Sequence, residues 1–72
     1  MSATLMIPPS LEERRTEEDG LIKICLDKSM TRFVEIGDTV YFKDLVPLKI
    51  VDIFPAPGAL WTEEELTLAR EQ

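Results

Sequence analysis

The sequence predicts a small α+β domain, mostly β. It reads as a four-stranded antiparallel, barrel-like meander over about residues 21–54, with a short N-terminal helix over about 11–19 and a C-terminal helix over about 63–71. Three observations predict this. The β-branched and aromatic residues concentrate between Leu21 and Phe54, and turn-forming residues divide that stretch at short intervals. Capping-box pairs, Ser10 with Glu13 and Thr62 with Glu65, stand on either side of it. Seventy-two residues at 44% hydrophobic content allow one small core and argue against wholesale disorder.

The division is an N-terminal arm and short acidic helix over 1–20, then a single β domain with its C-terminal helix over 21–72. Leu5-Met6-Ile7 precedes Pro8-Pro9, and a residue before proline avoids the α region, so this arm is extended. Its three apolar side chains call for a surface to dock on. In SLEERRTEEDG the capping box opens a helix and Gly20 closes it, although Leu11 is its only large apolar residue.

Leu21–Leu26 is the first strand of the meander, and Asp27-Lys28-Ser29 turns the chain into a second, Met30–Ile36. Gly37-Asp38 fits a two-residue type II′ hairpin. Thr39–Lys43 is the third strand, with Val40 and Phe42 on one face. Pro47 interrupts the next loop, and Leu48–Phe54 is the fourth strand. There Leu48, Ile50 and Phe54 share a face with Asp52, while Lys49, Val51 and Ile53 share the other. With both faces partly apolar, a curled or covered sheet is expected. Asp52, among apolar neighbours, calls for a partner such as Lys49 or Arg32. After Pro55-Ala56-Pro57-Gly58, Trp61 and Leu66 occupy the staple positions of the C-terminal helix.

The stretch Val34-Glu35-Ile36-Gly37-Asp38-Thr39-Val40-Tyr41-Phe42-Lys43 resembles the opening strand of SH3-like small barrels. Pro47-Leu48-Lys49-Ile50-Val51-Asp52-Ile53 is similar to the strand that follows in them. The resemblance spans Val34–Ile53 and implies a small twisted barrel that binds a ligand on its loops or edge. The short, acidic, arm-flanked chain also looks like small accessory proteins of phages and mobile elements.

Net charge is −6, and its placement is uneven. Residues 21–54 balance five basic against five acidic side chains, and all the excess acid lies in the flanks. No cluster of Lys and Arg is present to hold a phosphate backbone. One cysteine and no histidine exclude a Cys/His zinc site on ligand count, and Ser10 and Ser29 lack a histidine base. Cys25 reads as a structural thiol within a strand. Asp38, Asp44 and Asp52 lack the spacing of a calcium loop. No catalytic, cofactor or metal residue is identified. No apolar run reaches the ~20 residues of a membrane span. The N-terminus lacks a basic n-region, and an unpaired cysteine fits a reducing compartment, so a cytoplasmic location is expected.

The function expected is therefore that of a non-enzymatic protein–protein interaction or regulatory accessory protein, forming a homo-oligomer. The expected interface residues are Trp61, Glu63, Glu64 and Leu68 near the C-terminus and Leu5 and Ile7 in the arm, with tryptophan as an anchor. The alternative is single-stranded nucleic-acid binding through Tyr41, Lys43 and Arg32. Phe33 and Phe42 are expected in the core.

Overall fold

The computed structural model describes residues 3–56 and 62–71. Its strands are β1 (Thr4–Met6), β2 (Thr16–Glu18), β3 (Leu21–Asp27), β4 (Thr39–Tyr41), β5 (Leu48–Pro55) and β6 (Glu63–Arg70). A 3-10 helix (Pro9–Arg14) joins β1 to β2, and the only α-helix among the described residues, α1 (Lys28–Thr31), follows β3. The strands form one open mixed sheet in the order β1-β4-β5-β6-β3-β2. Only β1 and β4 run parallel; the other neighbours are antiparallel.

Alternation builds the core. In β3 Ile22, Ile24 and Leu26 point inward, and Lys23 and Cys25 stand on the other face. Leu66 and Leu68 of β6 lie opposite Ile24 and Ile22 in register. Val40, Leu48 and Ile50 complete the wall, and Ile7 and Val34 close it from the flanking segments. Among the described residues only the short 3-10 helix and α1 touch this face, through Leu11 and Met30, yet Ile24, Leu26, Val40, Ile50, Leu66 and Leu68 are all almost fully buried. A single sheet achieves that only by curving around its own inner face. The 3-10 helix spans from one edge strand to the other and packs Leu11 against the core. Arg15 then sets its guanidinium 4.9 Å from the ring of Phe42.

The two apolar faces of β5 are reconciled by a β-bulge. Ile50 pairs with Leu68 and Asp52 with Thr67, so Val51 is the extra residue. A one-residue insertion reverses the in–out phase of everything after it. Leu48 and Ile50 are buried, Ile53 still packs against the core, and Phe54 is turned out. Asp52 needs neither Lys49 nor Arg32, because its Oδ1 accepts the backbone N–H of Ile53 at 3.0 Å.

Several expectations are corrected. The sheet has six strands and is open and mixed, so the four-stranded antiparallel barrel does not form. The expected helix over 11–19 is replaced by the 3-10 helix and β2. Pro8, not Ser10, stands at the N-cap, and no side chain caps it. Asp19 and Gly20 both adopt positive φ, 54° and 79°. That matches a type I′ turn, which joins β2 to β3 as a hairpin rather than ending a helix. The expected helix over 63–71 is β6. Leu66 and Leu68 lie two residues apart on one face, and both β3 and β5 hydrogen-bond to this strand. Cross-strand pairing on two sides outweighs local helix caps. The expected second strand, Met30–Ile36, is α1 and the turns after it. Asp27 caps α1 by accepting the N–H of Ser29 at 2.8 Å. Gly37-Asp38 consequently leads into β4 instead of forming a hairpin. What holds of the barrel expectation is the coarser statement: a small, sheet-rich fold.

Candidate protein-binding surface

The loop between α1 and β4 is locked by its own polar groups. Asp38 Oδ2 accepts the N–H of Glu35 at 2.8 Å, and the N–H of Asp38 returns to the carbonyl of Glu35 at 3.0 Å. Asp38 is buried in this arrangement. Gly37, at φ 101°, donates its N–H to the carbonyl of Ile50 at 2.8 Å, and the N–H of Ile50 donates to the carbonyl of Asp38 at 2.9 Å. A side chain bearing Cβ is strained at that φ, which accounts for glycine there.

This rigid turn holds apolar side chains out of the core. Phe33 is 74% exposed and Ile36 62%. Arg32 lays its guanidinium 4.9 Å from the Phe33 ring. Bulged Val51, adjacent to the Ile50 anchor, is 39% exposed. The bond from Gly37 N–H to the Ile50 carbonyl, and the one from Ile50 N–H to the Asp38 carbonyl, bring this loop and the bulge to the same part of β5.

The residues expected at an interface are dispersed. Trp61 lies outside the described residues. Leu68 and Ile7 are core side chains, and Leu5 packs against the core from β1. Glu63 is paired with Arg14 at 3.1 Å, and Glu64 Oε1 accepts the Thr31 hydroxyl at 2.8 Å. The acids at the start of β6 are thus half-buried and have partners within the chain. Of the residues suited to nucleic acid, Arg32 belongs to the apolar loop, whereas Tyr41 ends β4 and Lys43 stands in the turn after it. Phe42 is in the core as expected; Phe33 is not. Phe33 and Ile36 were hidden because a strand reading of Met30–Ile36 places both within a sheet. The Asp27-Lys28-Ser29 cap was the signal that could have moved them out.

Two other features carry less. A cleft of about 130 Å³ is lined by Arg15, Ile22, Asp44, Val46, Leu48 and Arg70. Its polar groups are already engaged: Asp44 accepts the N–H of Val46 at 3.2 Å, and Arg70 lies 3.7 Å from Glu17. Cys25 is half-buried with its Sγ 4.0 Å from Glu65 Oε2. Burial, and then the charges of Glu65 and Glu63, push its thiol up against the opposing pull of Arg14. That is the reverse of what a nucleophile needs. Among the described residues no group of His, Cys, Asp or Glu is placed to hold a metal ion, and no helix is long and apolar enough to cross a membrane.

No protein-family model matches the chain, and neither a curated protein nor a solved structure matches it.

Proposed function

We propose that the chain is a non-enzymatic protein-interaction module, of the accessory or regulatory kind, that engages another protein through Phe33, Ile36 and Val51. The observation behind this reading is the locked turn. Large apolar side chains left in water stand on a turn held by the hydrogen bonds of Asp38 and Gly37, beside a buried core. Rigid presentation lowers the ordering cost of binding, and an aromatic side chain paired with arginine is the composition of an interface anchor. The resemblance of Val34–Ile53 to SH3-like barrels agrees with this, since such folds bind through loops and edges. The unpaired cysteine suits work in the cytoplasm.

The test is quantitative affinity capture from the native cell extract with wild type and a Phe33→Ser, Ile36→Ser double variant. A partner recovered by wild type and lost by the variant is expected, with thermal unfolding of the two chains alike. Equal recovery by both would overturn the reading. A second reading, single-stranded nucleic-acid binding, gains from the exposed Arg32–Phe33 stack but faces a net charge of −6. Oligonucleotide titration at low salt separates the two.

A further inference from the structure

The sheet is open, and its free strand edges are treated unequally. β2 is exposed along its length and carries Glu17 and Glu18, followed by Asp19. Charge of this kind discourages another strand from pairing. The outer half of β5 extends beyond β4, which pairs only with Leu48 and Lys49. There Asp52 Oδ1 covers the N–H of Ile53, and Pro55 has no N–H to offer. β1 is short and is followed by Pro8 and Pro9, but between Ala3 and Ile7 its edge carries neither a charge nor a proline. Residues 3–9 contain no charged side chain. Ala3 accepts from Thr39 at 3.4 Å and Ile7 donates to Tyr41 at 2.9 Å, so odd-numbered residues face β4. Thr4 and Met6 turn their backbone N–H and C=O groups outward, and among the described residues nothing pairs with them. Met6 is 55% exposed.

We infer that β1 is a self-association edge whose occupant is β1 of a second copy of this chain. The geometry is self-complementary. A two-fold axis through Leu5 lays the two strands antiparallel and sets Thr4 opposite Met6 of the second copy. Both residues present outward N–H and C=O groups, so each pair exchanges reciprocal hydrogen bonds. Leu5 meets its counterpart on the core side, where it is only partly buried now. On the outer side, each exposed Met6 side chain covers the Thr4 opposite. Charge selects the same edge. Two chains of −6 repel, and the edge without charge is where they approach at least cost. The short ladder makes this a weak, concentration-dependent dimer, independent of the Phe33–Ile36 surface.

Sedimentation equilibrium of the full chain over a concentration series, at low and high salt, tests it alongside Met6→Pro and Thr4→Lys. Proline at 6 removes only an outward N–H, so the β1–β4 ladder survives. Wild type is expected to pass from monomer to dimer, more readily at high salt as repulsion is screened. Met6→Pro removes half of the ladder's hydrogen bonds and weakens association by on the order of thirtyfold. Thr4→Lys puts a charge on the edge and a like charge across the axis, and is expected to weaken association even though it lowers the magnitude of the net charge of −6 by one. Amide exchange gives a second readout: Thr4 and Met6 amides become protected with concentration, while the Leu5 amide, bonded to β4, is protected throughout. A wild type that stays monomeric at millimolar concentration, or variants that dimerise like wild type, would overturn the inference.

Discussion

The Thr31 hydroxyl donates to Glu64 Oε1 at 2.8 Å, across 33 residues of sequence. It ties α1 to the start of β6 and satisfies a carboxylate on the inner side of the sheet, next to Leu26 in register. Thr31→Val keeps the shape and removes the donor. It is expected to cost about 1–2 kcal/mol, because the partly buried acceptor loses its partner. Thr31→Ser keeps the hydroxyl and is expected to lose less. Urea denaturation of the two variants checks this. A Thr31→Ser variant costlier than Thr31→Val would show that the methyl group, not the bond, matters.

The bulge at Val51 sorts the side chains that follow it. Ile53→Ala removes a side chain packed against the core and is expected to cost about 1–3 kcal/mol. Val51→Ala, at an exposed bulge position, is expected to stay within about 0.5 kcal/mol. Without the bulge, uninterrupted alternation from Ile50 would exchange the roles of Asp52 and Ile53. Chemical denaturation midpoints of these two variants decide it, and a costlier Val51→Ala would contradict the register.

Strands β3 and β5 are legible in the sequence because their signal is local: alternating or continuous apolar residues bounded by turn residues. β6 was concealed for the same reason. Thr62, Glu63, Glu64 and Glu65 favour a helix start locally, whereas the evidence for a strand lies in β3 and β5, each needing a partner along this segment. The one local clue was the absence of a helical stripe, with Leu66 and Leu68 two apart. Asp19-Gly20 was ambiguous, since glycine ends helices and also completes type I′ turns. The surface formed by Phe33 and Ile36 depends on this segment being α1 and the turns after it rather than a strand, and the Asp27 cap is what starts α1. Nothing in their own composition marks them as exposed.

β6 at the centre of the sheet gives a prediction that a C-terminal helix would not. Thr67→Pro would remove a ladder position between β3 and β5, where Thr67 stands between Lys23 and Asp52. The chain is expected to lose cooperative folding, because a central strand tolerates no proline. Leu68→Ala, at a fully buried position, is expected to cost about 2–5 kcal/mol. Far-ultraviolet circular dichroism of wild type should show a β-dominated spectrum. A strong helical signal would contradict β6.

The cap of α1 predicts a pH dependence. The N–H of Ser29, then its hydroxyl, hold the Asp27 carboxyl below its ordinary range. A depressed folded value means that the cap contributes above the unfolded carboxylate value and is lost as pH falls through the folded one. Ser29→Pro removes the backbone donor and the hydroxyl together while remaining acceptable in a first helical turn. Nuclear magnetic resonance titration should show the Asp27 midpoint rising toward the ordinary value in that variant. An unchanged midpoint would separate the shift from the cap.

Cys25 titrates in the opposite sense. Burial is the main cause of its raised thiol value, followed by the charges of Glu65 and then Glu63, while Arg14 opposes them. The folded chain therefore holds the thiol proton more tightly than the unfolded chain does. This contributes stability below the ordinary thiol value, and the contribution is lost as pH rises through the raised folded value. Thiolate is the reactive form, so alkylation of Cys25 at neutral pH should be slower than in the denatured chain. Glu65→Gln removes one upward influence and should speed labelling. Arg14→Gln removes the downward one and should slow it further. Labelling rates across a pH series give both midpoints, and the two substitutions must move them in opposite directions. Movement in the same direction would mean that access to the thiol, rather than these charges, controls its reactivity.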